Sequence, residues 1–171
     1  MSTRASIVLK LKDEDIGKKM KFEPSRLPLG ITCDMAGVDK VEWVELSKRY
    51  IMIYHNYDSY PSGMGVYLYY IYNDYDKIIN LLLGGNVSSI LGTMLMQYIC
   101  YPDGVWTDEK PIVYDEMPEK EEDYIYLFEN GIWYLKSNRY PEWVDLEMVL
   151  RAERDKLLNE WFFFQTHLKI L

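Results

Sequence analysis

The sequence is poor in the residues that usually carry chemistry. It has two cysteines, Cys33 and Cys100, and two histidines, His55 and His167. Neither cysteine sits at a metal-ligand or redox-motif spacing, so a zinc site, a disulfide scaffold and a Cys–His nucleophile pair have no support. There is no G-x-S-x-G, no Walker-type glycine loop and no H-x-E, and the enzyme classes that those motifs announce drop out with them. A metal centre would have to be assembled from scattered carboxylates, so no metal or cofactor is expected. Basic residues are also short: 19 Lys and Arg against 27 Asp and Glu give a net charge of −8. A general affinity for nucleic-acid phosphates needs clustered cations and is not expected. The uncharged stretch after Lys77 is broken by Gly84-Gly85-Asn86 and Ser88-Ser89, so no membrane span is expected. With few cysteines and no apolar leader, the expected location is the bacterial cytoplasm, of the host or the infected cell.

Tyrosine is abundant. Nine of the sixteen lie between Tyr50 and Tyr75, and its apolar ring with a polar tip suits half-buried rims, interfaces and stacking sites. The remaining charge is uneven. Residues 1–26 hold seven basic groups against four acidic ones, and 115–123 (DEMPEKEED) hold six acidic groups and one lysine. Both runs read first as solvated surface.

At 171 residues the chain is read as one domain, 1–171. The alternation ending at Leu11 predicts a first strand with one face exposed. Residues 12–40 hold two prolines and three glycines and predict a loop-rich excursion. Tyr50–His55 (YIMIYH) predicts a central strand buried on both faces. Asp58 to Gly63 is a turn by residue type, with Ser62 as the expected cap of a helix over 63–72. Asn73-Asp74 caps the next helix, which Gly84-Gly85 ends. Thr93–Tyr101 reads as a further helix and 102–123 as an acidic loop. Glu129-Asn130-Gly131 between YIYLF and IWYLK is a strong hairpin signal. From Asp145 to Leu168 the apolar recurrence at Leu146, Leu150, Leu157, Trp161, Phe164 and Leu168 predicts a long helix with one buried stripe. The fold expected is α+β: a small, mainly antiparallel sheet with helices on one side and a long C-terminal helix. Phe162 and Phe163 fall off the stripe, which makes a homodimer through that helix a further expectation.

Several of these stretches carry a resemblance. Met1-Ser2-Thr3-Arg4, Asp58 with Tyr60-Pro61-Ser62, Tyr72-Asn73-Asp74, Asn86 to Ile90, and Tyr124 to Phe128 with Gly131 and Trp133-Tyr134 follow one another in order. Together they resemble a family of small, largely uncharacterised proteins of bacteriophages and bacteria. Its members begin M-[SA]-T-R-S-x-I and carry an H-W-D-G-Y-P-S motif. The motif histidine falls on Asn56, the tryptophan on Tyr57, the glycine on Ser59, the serine after Thr-Arg on Ala5 and a second histidine on Ile71. A mechanism needing an imidazole at the motif position is therefore not implied for this chain.

Three functions are weighed. Arg4, Asn56, Tyr57, Asp58, Tyr60 and Ser62 offer a bidentate cation, stacking faces and short hydrogen-bonding groups, a set suited to a small anionic, nucleotide-like ligand. With the resemblance, this implies a non-enzymatic phage accessory protein that binds such a ligand and sequesters a host defence signal. The first alternative is an interaction protein inhibiting a host factor through its acidic and aromatic surface. The second is a small nucleotide hydrolase, with His55 and Asp58 as base and orienting acid and Ser59 or Tyr60 as nucleophile or acid. Two other readings remain open beside these: Arg4 and Asp58 as an internal ion pair, and His55 as a half-buried structural histidine.

Overall fold

The computed structural model describes residues 3–23, 42–90, 96–97 and 110–168, with the backbone alone described at 88–89, 96–97 and 161–168. In chain order the early strands are β1 (Ala5–Lys10), β2 (Lys19–Lys21), β3 (Trp43–Glu45) and β4 (Tyr50–His55). The later ones are β5 (Val87–Ser89), β6 (Met96–Gln97), β7 (Ile112–Tyr114), β8 (Tyr124–Glu129), β9 (Ile132–Ser137) and β10 (Val144–Asp145). The helices are α1 (Val66–Tyr70), α2 (Tyr75–Leu82) and α3 (Leu146–Leu168).

Eight strands form one sheet in the order β10-β9-β8-β1-β4-β5-β6, while β2 and β3 pair separately. β7 and β5 share the second edge of β4: β7 takes Tyr50 to Met52 and β5 takes His55. Among the described strands of this sheet only the β1–β8 and β4–β5 pairings are parallel. The fold is α+β, with a mainly antiparallel sheet.

The two faces of the sheet are covered differently. Ala5, Ile7, Leu9, Ile51, Ile53 and Tyr126 meet Leu68, Ile78, Leu82, Leu146 and Val149 from the three helices in the larger core. Val8, Met52, Ile125 and Leu127 face the other way, under Tyr50, Tyr54, Tyr114, Met117, Tyr134 and Trp143. Period-two alternation in β1 sends its side chains into both.

Several expectations are met. β4 is the predicted central strand, the Asn130-Gly131 hairpin has φ of +52° and +80°, and the Asp74 carboxylate caps α2 by accepting from the Lys77 N–H at 2.8 Å. Others are corrected. β1 has no exposed face: Ala5 to Leu9 are all buried, because β4 and β8 flank it at the centre of the sheet. Ser62 caps nothing. A wide π-type turn over Pro61–Gly65 precedes α1, with Tyr60 at its N-cap and no side-chain cap bond, since proline's fixed φ sets the first turn. Met96 and Gln97 are strand rather than helix, drawn onto β5, and the rest of 93–101 lies outside the described residues. Residues 24–40 of the N-terminal excursion also lie outside them.

Candidate functional site

The end of β4 is fixed from below by a chain of buried hydrogen bonds. His55 and Ser59 are both fully buried. The His55 Nδ1 lies 2.8 Å from the Ser59 Oγ, and its Nε2 lies 3.0 Å from the backbone nitrogen of Ile90. A backbone N–H can only donate, so Nε2 carries a lone pair and the neutral ring holds its proton on Nδ1. Nδ1–H therefore donates to Ser59 Oγ, and the Ser59 hydroxyl donates to the His55 carbonyl at 3.3 Å. The Tyr126 hydroxyl donates to the Ser59 carbonyl at 2.7 Å, and the Ser59 N–H donates to the Thr3 Oγ1 at 2.9 Å. Two strands, β4 and β8, and the N-terminal segment thus meet on Ser59, and His55 ties in Ile90 just after β5.

A base that activates serine must accept the hydroxyl proton, whereas here the imidazole gives its proton to that oxygen. Burial without a compensating charge lowers the His55 pKa to about 4, keeping the ring neutral at physiological pH. In this arrangement His55 and Ser59 form a buried structural lock. The half-buried histidine expected from the sequence is in fact fully buried.

Above the lock the chain turns outward. Asp58 is exposed and adopts φ +55°, one of two non-glycine residues with positive φ among those described. Its carbonyl accepts from the Met64 N–H at 3.1 Å. Gly63 makes this approach possible: a Cβ there would stand 2.6 Å from the Asp58 oxygen and 2.9 Å from the Tyr60 ring. Gly63 is thus needed for close approach rather than for a positive φ.

Asn56, Tyr57, Asp58, Tyr60 and Ser62 lie along this turn. Asn56 is half-buried, its backbone N–H donating to Val87 O at 3.2 Å. Tyr57 is 53% exposed, and Tyr60, Asp58 and Ser62 are exposed as well. Strand register, with Ala5 paired to His55, sets the Arg4 backbone beside the chain leaving β4. Its backbone N–H donates to Asp123 Oδ2 at 3.0 Å and its carbonyl accepts from the Tyr124 N–H. Among the described residues Arg4 and Asp58 form no ion pair, so the internal-lock reading of those two is not met. The lock exists one residue further on, at Ser59. Nothing in the sequence marked Ser59 as its centre beyond its place four residues after His55.

A polar cluster around Asp15 serves architecture. The Tyr75 hydroxyl donates to Asp15 Oδ2 at 2.7 Å and accepts from the Lys12 N–H, tying the first excursion to α2. Lys18 pairs with Asp15 and holds that carboxyl below its usual range. Among the described residues no helix is long and apolar enough to cross a membrane, and no group of three or more His, Cys, Asp or Glu is placed to hold a metal.

No protein-family model, curated protein or solved structure matches the chain.

Proposed function

We propose that the protein binds a small anionic, nucleotide-like ligand on the rim formed by Arg4, Asn56, Tyr57, Asp58, Tyr60 and Ser62, and does so without turning it over. The observation that carries this is the exposed Asp58 at φ +55°, held above a buried and fully hydrogen-bonded base. A non-glycine residue kept in a costly conformation on a rigid rim signals a side chain that is being aimed. Rigidity of this kind lowers the ordering cost of binding.

Each side chain has a role in that reading. Tyr57 and Tyr60 stack on a base, and Arg4 takes the phosphate in a bidentate contact. The Asp58 carboxylate repels phosphate and so belongs on sugar hydroxyls, with Asn56 and Ser62 on remaining polar groups. The resemblance to phage proteins extends the proposal to a cytoplasmic accessory protein that sequesters a host defence signal. The test is to denature the purified protein and identify what it releases by mass spectrometry. A nucleotide recovered intact in near-stoichiometric amount supports the reading; its hydrolysis on incubation with fresh protein would replace it with the hydrolase.

A second reading has its own observation. Tyr70, 67% exposed, and Ile71 lie with Tyr72, Lys77, Asn80 and Leu81 around an open groove beside α2. Such a surface suits a protein partner and keeps the host-factor inhibitor in play.

A further inference from the structure

We infer that the protein pairs with a second copy of itself through β7, edge to edge and antiparallel. The sequence pointed to α3 for self-association. That helix leaves the body after Glu153: Arg154 to Glu160 are all exposed, and Leu157, expected in a buried stripe, is 61% exposed, which corrects that expectation. The self-complementary surface lies at β7. It pairs with β4, and among the described residues no strand pairs with its other edge. The direction of its backbone groups follows from β4. Arg49 O accepts from the Leu11 N–H on the β1 side, while the Tyr54 N–H donates to Asn86 Oδ1 on the opposite side. Antiparallel alternation then turns Tyr50 and Met52 towards β7, and their partners Tyr114 and Ile112 towards β4. Val113 is left with its N–H and C=O pointing outward. Such an edge is a template for another strand.

Charge selects a second copy as the occupant. The edge reads Lys110-Pro111-Ile112-Val113-Tyr114-Asp115-Glu116, and it is complementary to itself when reversed. A twofold axis at Val113 lets the two Val113 residues exchange N–H···O=C bonds. The Asp115 N–H then donates to the Pro111 carbonyl of the other copy, and the Asp115 carbonyl is left to water. On the alternate face Ile112 stands opposite Tyr114, and Lys110 opposite Glu116, on both sides of the axis. Ile112 is 44% exposed, and Lys110, Asp115 and Glu116 are exposed as well. The 3.7 Å contact of Lys110 with Glu42 joins two exposed side chains, so it yields easily. Other registers fail. Centring on Pro111 removes the bonding N–H, centring on Asp115 sets carboxylate against carboxylate, and Ile112 and Tyr114 face β4. A parallel pair in register puts Lys110 on Lys110 and Glu116 on Glu116.

So short an interface makes a weak dimer. The full chain should sediment at twice its 20.4 kDa mass at roughly 500 µM and come apart on dilution. Hydrogen exchange of the Val113 amide should slow as concentration rises. Lys110→Glu and Glu116→Lys should each weaken the pairing about tenfold, although they change the net charge in opposite directions. Combining the two reversals should restore it. Both side chains are exposed in the single chain, so far-UV and near-UV spectra should stay native in all three variants. A monomer at that concentration would overturn the inference and leave the edge to a different strand. It would equally be overturned by a dimer whose Val113 amide exchanges at an unchanged rate, by one indifferent to both single reversals, or by failure of the double reversal to restore pairing.

Discussion

His55 gives its Nδ1 proton to Ser59, and the two side chains close a buried joint between β4 and the loop that follows it. The same ring accepts from the Ile90 N–H, so protonating it would break one bond and bury a charge. Both consequences are measurable.

Stability should fall with acid through this one ring. Above pH 6.5 the imidazole is neutral in the folded and the unfolded chain. Between 6.5 and about 4 only the unfolded chain takes up the proton. Unfolding free energy should therefore drop as pH falls across that window, by about 3 kcal/mol in total, and His55's contribution should be flat above it. Urea titrations at stepped pH check this. His55→Gln, whose Oε1 can still accept from the Ile90 N–H, should remove the His55 part of the slope.

Ser59→Ala leaves the buried Nδ1–H without an acceptor. It should cost about 1–3 kcal/mol, more than Tyr126→Phe, which removes a single donor from a carbonyl. Denaturant midpoints of the two variants and of their combination give the coupling.

The rim predicts opposite signs at two neighbouring positions. Asp58→Gly relieves the positive φ and should leave stability unchanged or raise it by up to about 1 kcal/mol. Gly63→Ala forces a methyl against the Asp58 carbonyl and should cost about 1–3 kcal/mol. Thermal unfolding separates them. Ligand binding should be lost in Asp58→Gly despite its intact fold, which a purely structural turn would not show.

In the hairpin, Gly131→Ala should destabilise by about 1–2 kcal/mol through its φ of +80°. Nothing stands within 4 Å of the added methyl, so the loss reports backbone strain alone. Stability should recover in part with Gly131→Asn, which tolerates the left-handed region better.

What could be read from the sequence was local. The Asn130-Gly131 turn, the apolar run of β4 and the Asp74 cap each depend on residues within a few positions of one another, where propensity and sterics decide. What could not be read depends on distant partners. Ile90 and Tyr126 define the roles of His55 and Ser59, and no spacing announces a bond across 35 or 67 residues. The flanking of β1 by β4 and β8 turned a strand with alternating polarity into one buried on both faces. Lys10 is accommodated there because its amine reaches Glu129 at the end of β8. Helical periodicity in α3 was legible, but the point where the helix leaves the body was not.

At the candidate site, what the sequence placed together were the neighbours along the chain from Asn56 to Ser62. The β1–β4 register sets the Arg4 backbone beside the start of that loop. The ion pair imagined between Arg4 and Asp58 gives way to backbone bonds from Arg4 to Asp123 and Tyr124.

The most direct test of ligand binding at the rim is a thermal-shift comparison of the native chain with Arg4→Ala and Asp58→Ala, with and without mono- and dinucleotides. Arg4 is exposed and its described bonds use the backbone, so Arg4→Ala should change apo stability by less than about 0.5 kcal/mol. A nucleotide at roughly a hundred times its dissociation constant should stabilise the native chain by about 2.7 kcal/mol, and both variants should lose that gain. Equal stabilisation of all three proteins, or none by any nucleotide while Arg4→Ala lowers apo stability by several kcal/mol, would contradict the proposed site.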